Sequence, residues 1–225
     1  MDQYRMLISS EDIQARVRKL AEQISNDYFG KNPLLLTLLK GAFIFLSDLV
    51  RHLKIPHEVD FITLSSYRHG SRRSGKIEIL SRLKSNIEDR HVIIIDGIID
   101  TGHTLSHLIG IMSKHRVRSL SVCTLLDKPG SREVDISADY VGFTIPEVFV
   151  VGYGLDFNER FRNLSYIAEL APYFESQEAP LESPVHGSTG QAKRRKGKPA
   201  SAAAQNGPDS AMCRPVTPLR SKPDS

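Results

Sequence analysis

The chain has 225 residues, 40% hydrophobic and 25% charged, a balance that excludes collagen-like, mucin-like and wholly disordered proteins and allows a sizeable core. Its formal net charge of +4 is unevenly placed: residues 1–177 hold 22 Lys and Arg against 22 Asp and Glu, so the whole excess lies in residues 178–225. The basic balance therefore describes an appendage, and nucleic acid is not an expected partner of the folded part.

In chain order, Ile13, Val17, Leu20, Ala21, Ile24 and Tyr28 recur at helical steps behind Ser9, with Asp12 three residues on as a carboxylate variant of the capping box. Leu34–Leu39 is a continuous apolar run that predicts a buried strand, followed by Lys40-Gly41 and a second helix through Leu53. Val59–Tyr67 is expected to be a strand, Arg68–Lys76 a polar loop and Ile77–Leu80 a short return strand. Val92–Ile95 predicts another buried strand, and Leu105, Leu108, Ile109 and Met112 a helix after Thr104. Leu120–Leu126, Tyr140–Phe143 and Val148–Val151 supply the remaining strands. Runs apolar on both faces, alternating with amphipathic helices, indicate an α/β fold with a mainly parallel sheet flanked by helices.

Cys123 falls inside one of these strands and Cys213 in a polar segment, which argues against a disulfide. No apolar run approaches the ~18 residues of a membrane span and Met1–Arg5 opens no signal-like region, so a cytoplasmic protein without a membrane partner is expected. Residues 178–225 hold seven of the 12 prolines and lose all apolar periodicity; they are read as a disordered tail to a domain of residues 1–177. The basic cluster Lys193–Lys198 is its one sharp feature.

In parallel sheets ligands bind beyond the carboxyl ends of the strands. The segment Ile93-Ile94-Ile95-Asp96-Gly97-Ile98-Ile99-Asp100-Thr101-Gly102-His103-Thr104 reads as strand, carboxylate, short apolar turn, then a Thr- and Gly-containing entry to a helix. Backbone N–H groups and two hydroxyls at a helix N-terminus suit a phosphate, and Gly102 permits close approach. Asp100 is badly placed for phosphate and better placed to act on something attached to a sugar. The plainer reading is that Asp100 and Thr101 simply cap the helix.

This stretch resembles the phosphoribosyl-pyrophosphate (PRPP) signature of the type I phosphoribosyltransferases. Leu39-Lys40-Gly41-Ala42, Ser65-Ser66-Tyr67, Leu125–Pro129, Phe149–Asp156 and Phe161–Leu164 narrow the likeness to the bacterial hypoxanthine (hypoxanthine-guanine) branch, from about Leu7 to Leu170. The resemblance implies purine salvage: phosphoribose passes from PRPP to hypoxanthine or guanine with Mg²⁺, in a homodimer or homotetramer whose parallel core carries a small hood built from both ends of the domain. It assigns purine proton transfer to Asp100, the 5′-phosphate to Thr101, Gly102, His103 and Thr104, and a pyrophosphate loop with a non-proline cis bond to Lys40 and Gly41. Ser66 and Tyr67 begin a closing loop, Lys128 reads the purine 6-oxo group, Phe149 stacks on the base and Val150 offers it backbone groups. Asp156 is implied as the Mg²⁺ ligand and Arg162 as a pyrophosphate contact.

One place departs from the family pattern. Asp96-Gly97 stands where a Glu-Asp pair usually receives the ribose hydroxyls, so one carboxylate is shortened and the other missing. A weakened sugar clamp leaves open a second reading, a nucleotide-binding regulator or pseudoenzyme on the same fold. A third, an RNA-associated protein, rests on the Lys193–Lys198 cluster alone.

Overall fold

A computed structural model describes residues 4–69, 72–79 and 85–171, with side chains defined outside 64–84. The expectations for residues 178–225 and for the Ser66 and Tyr67 side chains lie outside these limits.

Strand β1 (Tyr4–Ile8) leads into α1 (Ser10–Asp27), whose start follows the sequence signal: the Ser9 hydroxyl oxygen accepts the Asp12 N–H at 3.1 Å. The apolar stripe of α1, including Ile13, Val17, Leu20 and Ile24, is fully buried. Then come β2 (Leu34–Leu39), α2 (Phe43–His52), β3 (Glu58–His69), β4 (Arg72–Ile79), β5 (His91–Ile99), α3 (His103–Met112), β6 (Ser119–Asp127), a 3₁₀ turn (Pro129–Ser131), β7 (Tyr140–Thr144), β8 (Val150–Val151) and β9 (Ile167–Leu170).

Six strands form one sheet in the order β4-β3-β2-β5-β6-β7, parallel throughout except at the β3–β4 edge. The central strands are apolar on both faces because each face is covered. Ile93 and Ile95 of β5 pack with α1 and α2, while Val92 and Ile94 pack with Leu105, Leu108 and Met112 of α3. A second, antiparallel sheet, β1-β9-β8, joins the two ends of the domain and is the expected hood.

The structure corrects several expected elements. Arg68–Lys76 is not a loop: β3 reaches His69 and β4 begins at Arg72, with Arg68 opposite Arg73 and Ser65 opposite Glu78. The sequence here is polar and lacks the apolar alternation that marks a half-buried strand, so composition alone hides it. Ile98-Ile99 is not a turn either; the pairs Ile98↔Leu126 and Ile99↔Asp127 carry β5 to its end. Helix α3 starts at His103, two residues earlier than expected, and β8 is only two residues long.

Candidate active site

Extending β5 to Ile99 places the Asp100–Gly102 turn at the carboxyl edge of the sheet. Gly102, with φ 88°, is the residue from which α3 starts, and no side chain caps it. The capping role considered for Asp100 and Thr101 is thus not the one they play. Ser106 N–H is the first to bond back, to the Gly102 carbonyl at 2.9 Å, so the N–H groups of His103, Thr104 and Leu105 precede the intrahelical ladder. The Thr101 and Thr104 hydroxyls have no hydrogen-bond partner among the described residues. Gly102 is needed twice over, for its left-handed φ and because a Cβ there would lie 2.9 Å from methyls of Val134 and Ile136. The turn faces a cleft of about 240 Å³, walled by Leu38, Leu39 and Gly41 opposite Asp96, Ile98–Gly102, Thr104 and Leu105.

Asp100 projects with its side chain 53% exposed, and the Lys128 ammonium, 8% exposed, stands 3.8 Å from Oδ1. That is too long for a hydrogen bond. The two groups are juxtaposed and each remains free to take another partner. Arg132 fixes the main chain beneath them, donating to the Asp100 carbonyl at 2.9 Å while its other nitrogen is ion-paired with Asp127. Lys128 N–H bonds to the Ile99 carbonyl at 3.0 Å, tying the end of β6 to the end of β5. The His103 ring turns away to Glu133, 2.8 Å from its carboxylate, so His103 offers the turn its backbone N–H rather than its side chain.

Phe149 is 39% exposed, its ring braced edge-on by Phe157 at 5.6 Å between centroids. Its carbonyl accepts the Leu170 N–H, and Val150 pairs with Glu169, so the hood sheet holds both residues; neither lines the cleft itself.

The Leu38–Gly41 side of the cleft is backed by glycines. The peptide joining Leu39 to Lys40 is cis. The Gly41 carbonyl that follows is wedged between Gly97 and Gly154: a Cβ on Gly154 would lie 2.5 Å from that oxygen and one on Gly97 3.1 Å. Gly154 leads into Asp156, whose Oδ1 lies 2.8 Å from Arg162 and whose Oδ2 accepts the Glu159 N–H at 2.9 Å. Arg162 also donates to the Gly154 carbonyl at 2.8 Å. Glu159 in turn pairs with Lys40 and with Arg162, each at 3.0 Å, and these two partners hold its carboxyl below the ordinary range. Beneath the turn, Asp48 accepts from Tyr153 at 2.5 Å and from Gln14 at 2.6 Å and pairs with Arg51. Burial would raise the Asp48 carboxyl, but these donors hold it low.

Asp96 lines the cleft and is half-buried, its Oδ1 accepting the Gly97 N–H at 2.7 Å. Burial pushes its carboxyl up to about 6 against the pull of the Gly97 and Ile98 N–H groups. Gly97 does not have a left-handed φ; its missing side chain would point at Gly41 and Leu155.

The structure thus gathers Lys40, Gly41, Asp96, Asp100–Thr104 and Lys128 around the strand ends and joins Lys40 to the Asp156–Arg162 turn. Sequence reasoning missed Glu159, Arg132, Asp48, Tyr153 and Phe157. Glu159 had a readable signal, standing three residues after Asp156 and three before Arg162. Asp48 and Tyr153, 105 residues apart, had none.

Among the described residues no cluster of three or more His, Cys, Asp or Glu could hold a metal, and no helix is long and apolar enough to cross a membrane. Asp156 fits a divalent cation only as one carboxylate ligand supplemented by oxygens from a substrate.

The hypoxanthine-guanine phosphoribosyltransferase of Bacillus subtilis is 44% identical over 168 residues, 75% of this chain and 93% of that protein. The bifunctional protein TilS/HprT of Listeria monocytogenes is 44% identical over 176 residues, 78% of this chain, which spans only 27% of that longer protein. A crystal structure of a hypoxanthine phosphoribosyltransferase from Staphylococcus aureus superposes with a TM-score of 0.73 at 42% identity, covering 76% of this chain and 94% of that one. The phosphoribosyl transferase domain matches residues 5–158, which include the glycine-built cleft, Asp100 and Lys128, and the chain belongs to that family.

Proposed function

We propose that this protein is a purine-salvage enzyme that transfers phosphoribose from PRPP to hypoxanthine, and to guanine, releasing IMP or GMP and pyrophosphate. The observation that carries the reading is the Asp100–Lys128 pair: a carboxylate and a buried ammonium 3.8 Å apart, unbonded to each other, beside a helix N-terminus with free hydroxyls. A 6-oxopurine presents N7 and O6 side by side on one edge. Asp100 takes or shares the proton at N7, and Lys128 donates to O6, while N9 attacks C1′ and the bond from C1′ to the pyrophosphate oxygen breaks.

Thr101 and Thr104 with the N–H groups of Gly102 to Leu105 hold the 5′-phosphate, where unpaired amides and the helix dipole favour a dianion. Phe149 stacks on the base and Val150 faces its edge. Asp96 receives the ribose hydroxyls. Lys40, Gly41 and Arg162 receive the pyrophosphate, which leaves with concentrated negative charge, and Ser66 and Tyr67 belong to the segment that closes over it. Asp156 would hold Mg²⁺ together with substrate oxygens, and the ion would supply charge neutralisation to the leaving group.

The same reading extends to a homodimer or homotetramer working in the cytoplasm, with residues 178–225 an appendage to a catalytic domain of 1–177. Incubating the purified protein with PRPP, Mg²⁺ and each purine, and following nucleotide formation, tests it directly. The alternative, a nucleotide-binding regulator, draws on Gly97 and on the raised Asp96 carboxyl. It predicts PRPP or nucleotide binding with no turnover.

A further inference from the structure

Glu159 has no part in the reaction as set out above, yet it sits between two of the cations that reaction needs. Its Oε1 lies 3.0 Å from Lys40 Nζ and its Oε2 3.0 Å from Arg162. We propose that Glu159 is a positioning residue for pyrophosphate: its carboxylate is an internal counter-ion that bridges Lys40 and Arg162 in the empty site, yields to pyrophosphate on binding and reclaims both cations on release. The inference rests on the pyrophosphate roles proposed for Lys40 and Arg162.

The backbone supports this placement. Asn158, Glu159 and Phe161 have φ of 51°, 60° and 72°, so three non-glycine residues of one short turn adopt the left-handed region. Reciprocal N–H to carbonyl bonds between Phe157 and Arg160, at 3.2 and 3.0 Å, close the turn, and the Glu159 N–H is fastened to Asp156. The turn therefore fixes the Glu159 main chain while its side chain stays 65% exposed and able to swing aside. Exposure also matters for exchange, since the Lys40 partner is equally exposed and such pairs are weak enough to break readily. Arg162, only 18% exposed, is different: a mostly buried guanidinium is costly to leave without sufficient anionic partners. Asp156 and Glu159 together meet that need before substrate arrives. A bound pyrophosphate would repel the neighbouring Glu159 carboxylate, so the residue works against retention of product, a step that limits turnover in many enzymes.

The test is calorimetric titration of the full chain with inorganic pyrophosphate and Mg²⁺, comparing wild type with Glu159→Gln and Glu159→Asp, alongside Tm and steady-state kinetics. Glu159→Gln keeps the side-chain shape and removes the charge; it should lower the pyrophosphate Kd roughly three- to tenfold, the scale of one or two exposed ion pairs. KM for PRPP should fall with it while kcat falls or stays level, and Glu159→Asp, too short to bridge both cations, should lie between. A structural role alone would lower Tm and weaken pyrophosphate binding, and that outcome, or an unchanged Kd, overturns the proposal. Absence of any pyrophosphate binding by wild type would instead sink the assigned roles of Lys40 and Arg162, and this inference with them.

Discussion

Two turns of the candidate site, one lining the cleft and one tied to it through Lys40 and Gly41, are built on opposite plans. The Asp100–Thr104 turn ends a central strand and presents main-chain N–H groups and hydroxyls, with its one carboxylate, Asp100, 3.8 Å from the Lys128 ammonium. The Gly154–Arg162 turn hangs from the short hood strands and carries a cation, Arg162, already paired with Asp156 and Glu159. A phosphate that stays attached to the sugar throughout suits the first plan, because the donors need no rearrangement. A group that must leave suits the second, because each ion pair it breaks on entry reforms on exit.

Asp100→Asn removes the only acid of the first turn without disturbing its donors, and gives the largest expected effect. Loss of a proton acceptor should lower kcat by roughly 10²–10⁴-fold with PRPP affinity little changed. Steady-state rates and a PRPP titration check both halves; near-normal turnover would mean that the chemistry lies elsewhere.

Lys128 extends the same side of the comparison to the base. Adenine offers its 6-amino group to a buried ammonium that needs an acceptor, so wild type should prefer hypoxanthine by roughly 10²–10³-fold in kcat/KM. In Lys128→Met that preference should shrink, mainly through loss of hypoxanthine activity. Equal use of both bases by wild type would contradict the assignment.

How much of each turn could be read in advance differs for a physical reason. The strands and helices that carry the first turn are buried, so burial wrote itself into apolar periodicity: α1, β2 and β6 follow the sequence within a few residues. The elements behind the second turn are short or half-exposed. Tyr4–Ile8 alternates irregularly in burial and Ile167–Leu170 has four residues, and neither leaves a pattern that a window of sequence can detect. Within the site, Asp100 stood out by its place after a buried strand, whereas Lys128 and Arg162 gained meaning only from the resemblance. The Asp48–Tyr153 bond that anchors the second turn joins α2 to the Gly152–Gly154 bend and is a product of tertiary packing alone.

Asp96 lies between the two plans, and pH separates its contributions. Its carboxyl titrates near 6 in the fold against an ordinary 3.8, so the folded protein retains a proton that the unfolded chain has lost. Stability therefore falls as pH rises from about 4 to 6, and the penalty, at most about 3 kcal/mol, is fully present above that window. Asp96→Asn should raise Tm at pH 8 and leave it nearly unchanged at pH 4. If the ionised carboxylate also receives the ribose hydroxyls, the same variant should lose roughly ten- to a hundredfold in PRPP affinity above pH 7, with the gap from wild type closing below pH 6. A loss of affinity that is constant across pH would separate the ribose role from the ionised form.

The smallest expected effect is at Gly97, where the likeness to the family suggests restoring an acid and the structure argues otherwise. Its φ is compatible with any L-residue, so backbone conformation is no obstacle. The obstacle is direction: a Cβ would meet the Gly41 carbonyl at 3.1 Å and Leu155 Cδ2 at 3.2 Å, pressing on the loop that joins the two plans. Leu155 is a side-chain tip that can shift, but the Gly41 oxygen is main chain held from behind by Gly154. Gly97→Ala and Gly97→Asp should therefore both weaken PRPP binding, by a few-fold each, consistent with about 1 kcal/mol of displaced packing. Gly97→Asp should gain nothing over Gly97→Ala, because its carboxylate starts towards the Gly41 side. PRPP titrations of the two variants decide the matter: an Asp variant tenfold tighter than the Ala variant would show that the loop yields, and that the ribose hydroxyls can be reached from position 97 after all.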